Sequence, residues 1–164
     1  MKKSYALITG ASSGIGSEIA ITLAKKGFNI ILTARREERL IALTKDLQDR
    51  YGVHADYVTG DLASPETPQE IYNFCKERNY EVEVLVNNAG YGLPKQFHET
   101  PMEDEEKNIR VLSTSVIALS KIFIPDMLER KSGKIMIISS VASFAPPSTL
   151  QVLYGPLKTF MNRF

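Results

Sequence analysis

The sequence predicts an α/β fold, a doubly wound parallel sheet with helices on both faces, and three observations predict it. Five short β-rich runs, "YALIT", "NIILTA", "HADYVTG", "VEVLVNN" and "GKIMIISS", recur along the chain. Stretches of helical length separate them, and strand, helix, strand in repetition builds a parallel sheet, because each crossover returns over a face. The run "KIMIIS" is apolar without alternation, as a strand buried on two sides would be.

Each element has its own signal. After "YALIT" comes "IGSEIAITLAKKG", where Ile15, Ile19 and Leu23 share a helical face and Gly27 ends the helix. Beyond the third run, Pro65 and Pro68 open a helix carrying Ile71, Tyr72, Phe74 and Cys75. Pro101 opens a long helix through "MEDEEKNIRVLSTSVIALSKIFIPDML", expected to end at Pro125. Its acidic start, Glu103 to Glu106, suits the positive end of the helix dipole. After the fifth run, a last helix is expected to begin at Tyr154.

Composition narrows the function. A chain of 164 residues, 43% apolar and 24% charged, supports a single domain over 1–164 with one substantial core. A formal net charge of +1 with interleaved signs gives no strong field for nucleic acid or an anionic membrane, so neither is an expected partner. The one cysteine, Cys75, cannot form an internal disulfide, and its helical setting predicts a small packed side chain rather than a reactive thiol. The opening "MKKSYALITG" breaks at Thr9 and Gly10, too soon for a signal-peptide core, and no apolar stretch approaches membrane-spanning length. A soluble, cytoplasmic protein is expected, with no repeat, low-complexity tract, linker or metal site.

Directly after the first strand stands "TGASSGIG", Thr9 to Gly16, leading into a helix. A dinucleotide pyrophosphate needs unpaired backbone N–H groups at a helix start, and glycines let it approach without a Cβ in the way. Gly10, Gly14 and Gly16 fit those places, although a tight strand-to-helix corner without ligand would use the same residues.

Thr-Gly-x-x-x-Gly-Ile-Gly, "NNAG" at Asn87 to Gly90 and "IMIISS" in the fifth strand together resemble the short-chain dehydrogenase/reductase family, over residues 4 to 164 and in its order. The resemblance implies a Rossmann-like sheet in the order 3-2-1-4-5 and a nicotinamide cofactor. It implies cofactor contacts from Gly10, Ser12, Ser13, Gly14, Ile15, Gly16, Asn88, Ala89 and Gly90. It also implies that Asp61 meets the adenine amine and Leu62 packs on the ring, although an aspartate at a strand end is a common helix cap too. At the end of the second strand, "ILTARREERL" puts Ala34 where an acidic residue would bind ribose hydroxyls, followed by Arg35 and Arg36. Arginines there welcome a 2′-phosphate, so NADP(H) is expected over NAD(H). The plain alternative is that both arginines solvate a helix start.

Tyr-x-x-x-Lys occurs three times, as Tyr72 with Lys76, Tyr91 with Lys95 and Tyr154 with Lys158, where seven tyrosines and twelve lysines predict roughly half a match by chance. Context selects Tyr154 and Lys158, which alone follow a strand ending in serines, as the family pattern requires. Positions i and i+4 share a helical face, so the ammonium favours ionisation of the phenol while reaching the nicotinamide ribose. Such a phenol serves as acid or base toward a carbonyl or alcohol, and a serine steadies the substrate oxygen. Ser140, 14 residues before Tyr154, fits the family spacing better than Ser139 at 15 or Ser143 at 11. Pro156 falls in the first helical turn and forfeits no intrahelical bond.

Two departures stand out. Leu112 occupies the place of the family's relay asparagine, and Asn108, on the same face, lies about 6 Å along the axis. Family members also continue past Lys158 with two further strands and a substrate-covering loop, so a truncated or interrupted form, with "KIMIIS" as a bare edge, or one that borrows its cover from another chain, is expected. By resemblance a homodimer or homotetramer is expected. The loop "SFAPPSTLQV" points to an apolar small-molecule substrate. An NADP(H)-dependent carbonyl/alcohol oxidoreductase is the leading expectation, and a non-catalytic nucleotide-binding or assembly module is its rival.

Overall fold

The computed structural model describes residues 4–164; Lys2 and Lys3 of the opening run lie outside them. Five parallel strands, β1 (Ser4–Thr9), β2 (Asn29–Ala34), β3 (Ala55–Thr59), β4 (Glu81–Asn87) and β5 (Lys134–Ile137), form one sheet in the order β3-β2-β1-β4-β5. Leu7 at the centre pairs in register with Ile31 on one side and Leu85 on the other.

Because successive side chains point to opposite faces, each strand feeds two cores. Ala6, Ile8, Ile30, Leu32 and Val86 pack under α1 (Gly14–Lys25) and α2 (Glu37–Tyr51). Tyr5, Leu7, Ile31 and Leu85 pack with α3 (Thr67–Glu77) and the long helix on the other face. Cys75 is buried there, and burial pushes its thiol up to about 12, so it packs as an inert small side chain. The fully buried positions of α1 are Gly16, Ala20 and Ala24, since small residues let the helix approach the sheet; Ile19 and Leu23 pack against the same core partly buried, and Ile15 is exposed.

The long helix runs as α4 (Met102–Ile109), a π-helical turn over Arg110–Thr114 and α5 (Ser115–Glu129). It does not stop at Pro125, which lies inside α5; burial of Phe123 and Met127 on either side outweighs the one lost backbone bond. Nor is it too short to span a bilayer. Met102–Glu129 is 28 residues long and holds a window apolar enough, by length and composition, to cross a membrane, contrary to the sequence expectation. Interspersed serines and threonines mask that window as a continuous apolar run, and nearly half of it is buried inside this fold.

The strand β5 departs from the two-sided burial expected of it: Met136 is 44% exposed. Among the described residues β5 pairs with β4 alone, so it is the edge of the sheet. Last comes α6 (Tyr154–Arg163), whose Met161 packs with Leu112 and Val116.

Candidate active site

The strand ends and the loops that follow them enclose a cleft of about 460 Å³ above β1, β2 and β4. Its floor begins with the glycine loop between β1 and α1. Gly10 has φ +65°, and a Cβ there would fall 2.8 Å from the Ala89 Cα. Gly16 has no room either, since its Cβ would meet Asn88 Nδ2 at 2.5 Å. Gly14 needs its glycine for φ +60° alone; it turns the loop and does not line the cleft. Thr9 ties this loop to the end of β4. Its Oγ1 accepts from the Asn88 and Ala89 N–H groups at 2.9 and 3.0 Å, and Asn88 Nδ2 donates to the Thr9 carbonyl at 2.8 Å.

Most of the predicted cofactor residues come together here. Gly10, Ser12, Ser13, Ile15, Gly16, Arg35, Arg36, Asp61, Leu62, Asn88, Ala89 and Gly90 all line the cleft, with Tyr154 and Lys158 at its far end. The Arg36 guanidinium donates to Ser12 Oγ at 2.8 Å and Ser13 Oγ at 2.7 Å, while Arg35 stands over the Tyr91 ring at 5.8 Å. Asp61 lines the cleft, and its Oδ1 accepts from the Ala63 N–H at 3.0 Å in the turn after β3, whereas the N-cap position of α3 belongs to Glu66. Sequence reasoning missed Thr33, Gly60, Tyr91, Val111 and Ile138. Thr33 is 1% exposed and its Oγ1 has no partner among the described residues, a polar atom that a ligand could satisfy. A lone threonine in an apolar strand, with Gly60 at the end of the next, was the available signal. The cradle that a Cβ would fill and this orphaned hydroxyl both fit a bound dinucleotide.

At the chemical end, Tyr154 opens α6 and Lys158 follows one turn later. Lys158 is 3% exposed; its Nζ donates to the Ile138 carbonyl at 2.8 Å and stands 5.7 Å from the Tyr154 ring centroid. Burial lowers its pKa from the ordinary lysine range. The two serines divide. Ser139 lines the cleft, but its hydroxyl donates to the Lys158 carbonyl at 2.8 Å. Ser140 lies outside the lining, its Oγ accepting from the Ala142 N–H at 3.2 Å. The carbonyl of Ser140 accepts from Ser143 Oγ at 2.6 Å.

The place of the relay asparagine is hydrocarbon. Leu112 is fully buried, and a Cβ on Gly90 would fall 2.7 Å from its Cδ2. Asn108 points elsewhere, its Nδ2 donating to the Tyr91 carbonyl at 2.8 Å. Of the other Tyr-x-x-x-Lys pairs, Tyr72 and Lys76 both bond Asp126 and join α3 to α5. Tyr91 lines the cleft, while Lys95 is exposed on the loop beyond it.

A doubly wound parallel sheet with a glycine cradle at its central strand and a tyrosine and lysine at the far end of one cleft defines a dinucleotide-binding oxidoreductase scaffold. The chain belongs to the short chain dehydrogenase family, whose model matches residues 4–164. It is 32% identical over 164 residues to a very-long-chain 3-oxoacyl-CoA reductase of Phaeosphaeria nodorum, covering 98% of this chain and 48% of that protein. It is 34% identical over 165 residues to the human inactive hydroxysteroid dehydrogenase-like protein 1, again 98% and 48%. The chain thus spans about half the length of the curated relatives it matches. Among solved structures it superposes with a TM-score of 0.92 and 30% identity on L-sorbose reductase from Gluconobacter frateurii complexed with NADPH and L-sorbose, covering 100% of this chain and 62% of that one. A short-chain dehydrogenase from Sphingobium yanoikuyae in complex with NADPH matches at 0.88 and 33%, over 97% and 61%.

Proposed function

We propose that this chain binds NADP(H) and interconverts a carbonyl and a secondary alcohol, with Tyr154 as the acid or base. The observation that carries the reading is Lys158, an almost wholly buried cation against the Tyr154 ring, in the same cleft as the glycine loop. Nucleotide binding alone could use the ammonium for the ribose but gains little from a phenol beside it, whereas proton transfer uses both. Arg35 and Arg36, with Ala34 in place of an acidic residue, support the phosphorylated dinucleotide, as do the NADPH complexes among its structural neighbours.

When bound, NADP(H) would supply the hydride. The glycine loop would hold the pyrophosphate on its backbone N–H groups, with Arg36 and Arg35 flanking the adenosine end. Tyr154 would give its phenolic proton to the substrate oxygen, or take one from an alcohol. Ser140 is favoured over Ser139 as the partner of that oxygen: the Ser139 hydroxyl hydrogen is committed to Lys158, while Ser140 uses its oxygen locally and keeps its hydrogen. Val141, Phe144 and Leu150, exposed on the loop beside Tyr154, support an apolar substrate, in keeping with the relatives that reduce very-long-chain 3-oxoacyl-CoA. Exposed Ile124 and Leu128 on α5 support a homodimer or homotetramer.

Leu112 favours a second reading, a nucleotide-binding module without turnover, and a relative named inactive shares 34% identity with this chain. Consumption of NADPH over a panel of ketones and 3-oxoacyl thioesters separates the two. Turnover that disappears in Tyr154→Phe with NADPH binding retained is expected; NADPH binding with no turnover on any substrate would leave the second reading standing.

A further inference from the structure

The contact between Arg35 and Tyr91 crosses the mouth of the cleft. Arg35 follows β2 and Tyr91 follows β4, and β1 stands between those strands in the sheet. Arg35 is an exposed side chain at a strand end, where a free arginine samples many rotamers. Here its guanidinium carbon lies 5.8 Å from the Tyr91 centroid, within reach of the electron-rich ring face. Burial raises the pKa of the Tyr91 phenol, so at neutral pH it faces Arg35 as an uncharged ring.

Tyr91 is itself fixed from below. Its ring packs against the core on the α3 and α5 side, and its carbonyl accepts from Asn108, a buried side chain of α4. Arg36 has a separate anchor, the Ser12 and Ser13 hydroxyls on the glycine loop. The two adjacent arginines are therefore held toward opposite sides of the cleft by different parts of the fold.

We propose that Tyr91 is a positioning residue for cofactor choice: its ring holds the Arg35 guanidinium over the adenosine end of the cleft, where the charge meets a 2′-phosphate. Asn108 serves this brace through the Tyr91 main chain, which gives the buried amide a role other than a proton relay. The inference rests on the NADP(H) reading above and goes beyond it in naming what selects the cofactor.

Dissociation constants of NADPH and NADH, measured calorimetrically on the 164-residue chain, test it in the wild type, Tyr91→Leu, Tyr91→Phe, Arg35→Ala and the Arg35→Ala/Tyr91→Leu double variant. Tyr91→Leu should weaken NADPH about two- to five-fold and leave NADH unchanged, the size of an exposed cation–π contact. Tyr91→Phe should bind as the wild type does, and Tyr91→Leu should add nothing once Arg35 is gone. Equal weakening of both dinucleotides, failure of Tyr91→Phe to preserve binding, or additivity of the two changes overturns the proposal alone. A wild-type chain that binds neither dinucleotide overturns the cofactor reading and the proposal with it. Should Tyr91→Leu not fold, Arg35→Lys at the exposed side keeps the charge without the flat guanidinium; it should lose NADPH selectively, and unchanged selectivity overturns the proposal.

Discussion

Lys158 Nζ donates to the main-chain carbonyl of Ile138 at 2.8 Å, joining the start of α6 to the end of β5 through a charged group that water barely reaches. Desolvation lowers its pKa in the folded chain, whereas the unfolded chain keeps the ordinary value. The unfolded state therefore binds more protons between the two values, and stability rises with pH across that window, just below the ordinary lysine pKa. Lys158→Met should abolish this rise and leave stability at neutral pH equal to or above the wild type's. Turnover should nevertheless fall by about 10²-fold or more. Urea unfolding at several pH values, beside the reductase assay, checks both halves.

The two serines separate by what their substitution damages. Ser139→Ala removes a bond that clips β5 to α6 and should lower stability by about 1 kcal/mol. Ser140→Ala should leave thermal unfolding nearly unchanged while lowering kcat by about 10²- to 10³-fold, the usual loss for a donor to a developing oxyanion. Calorimetry and initial rates on both variants would show the reverse pattern if Ser139 were the substrate's partner.

Gly16→Ala is a test of the cradle. The new methyl would sit 2.5 Å from both Asn88 Nδ2 and the Gly10 carbonyl, so α1 has to move off the loop. Overpacking of this kind costs about 1–3 kcal/mol, and dinucleotide binding should be lost with it. Gly27→Ala, at a helix end with open space and φ +84°, should lower stability through backbone strain yet spare binding.

Far from the cleft, Tyr80 donates to Asp56 Oδ2 at 3.0 Å and stacks on Tyr5 at 4.3 Å. Burial and the carboxylate together push the Tyr80 phenol up to about 12, and Tyr5 moves in the same direction. A raised folded value means stability present below the unfolded phenol pKa and lost as pH climbs toward the folded one. Unfolding free energy should thus decline from about pH 10 toward 12. Asp56→Asn should soften that decline, with phenolate absorbance appearing at lower pH.

The fold was legible because burial on two faces writes itself into β1, β2 and β4 as apolar runs, and because Gly10 and Gly16 sit where no other residue fits. Local signals could not announce contacts made at a distance. Thr33, Gly60, Tyr91 and Val111 reach the cleft through the order of the strands and the course of α4, so a lone threonine or a strand-end glycine was the most that their neighbours could offer as a mark. Pro125 misled as a stop because its loss is local while the compensation, Phe123 and Met127 in the core, is tertiary. The small, fully buried positions of α1 were hidden for the opposite reason: periodicity weighs large side chains, and close approach to the sheet selects small ones.

The Thr9 hydroxyl takes two amide hydrogens from the end of β4 while its own peptide belongs to the strand that launches the glycine loop. Neither half of the cleft can therefore breathe by itself. In deuterated water, the Asn88 and Ala89 amides should exchange at a common rate, slowly and only in excursions large enough to release β1, so this end of the molecule opens as one latch rather than two flaps.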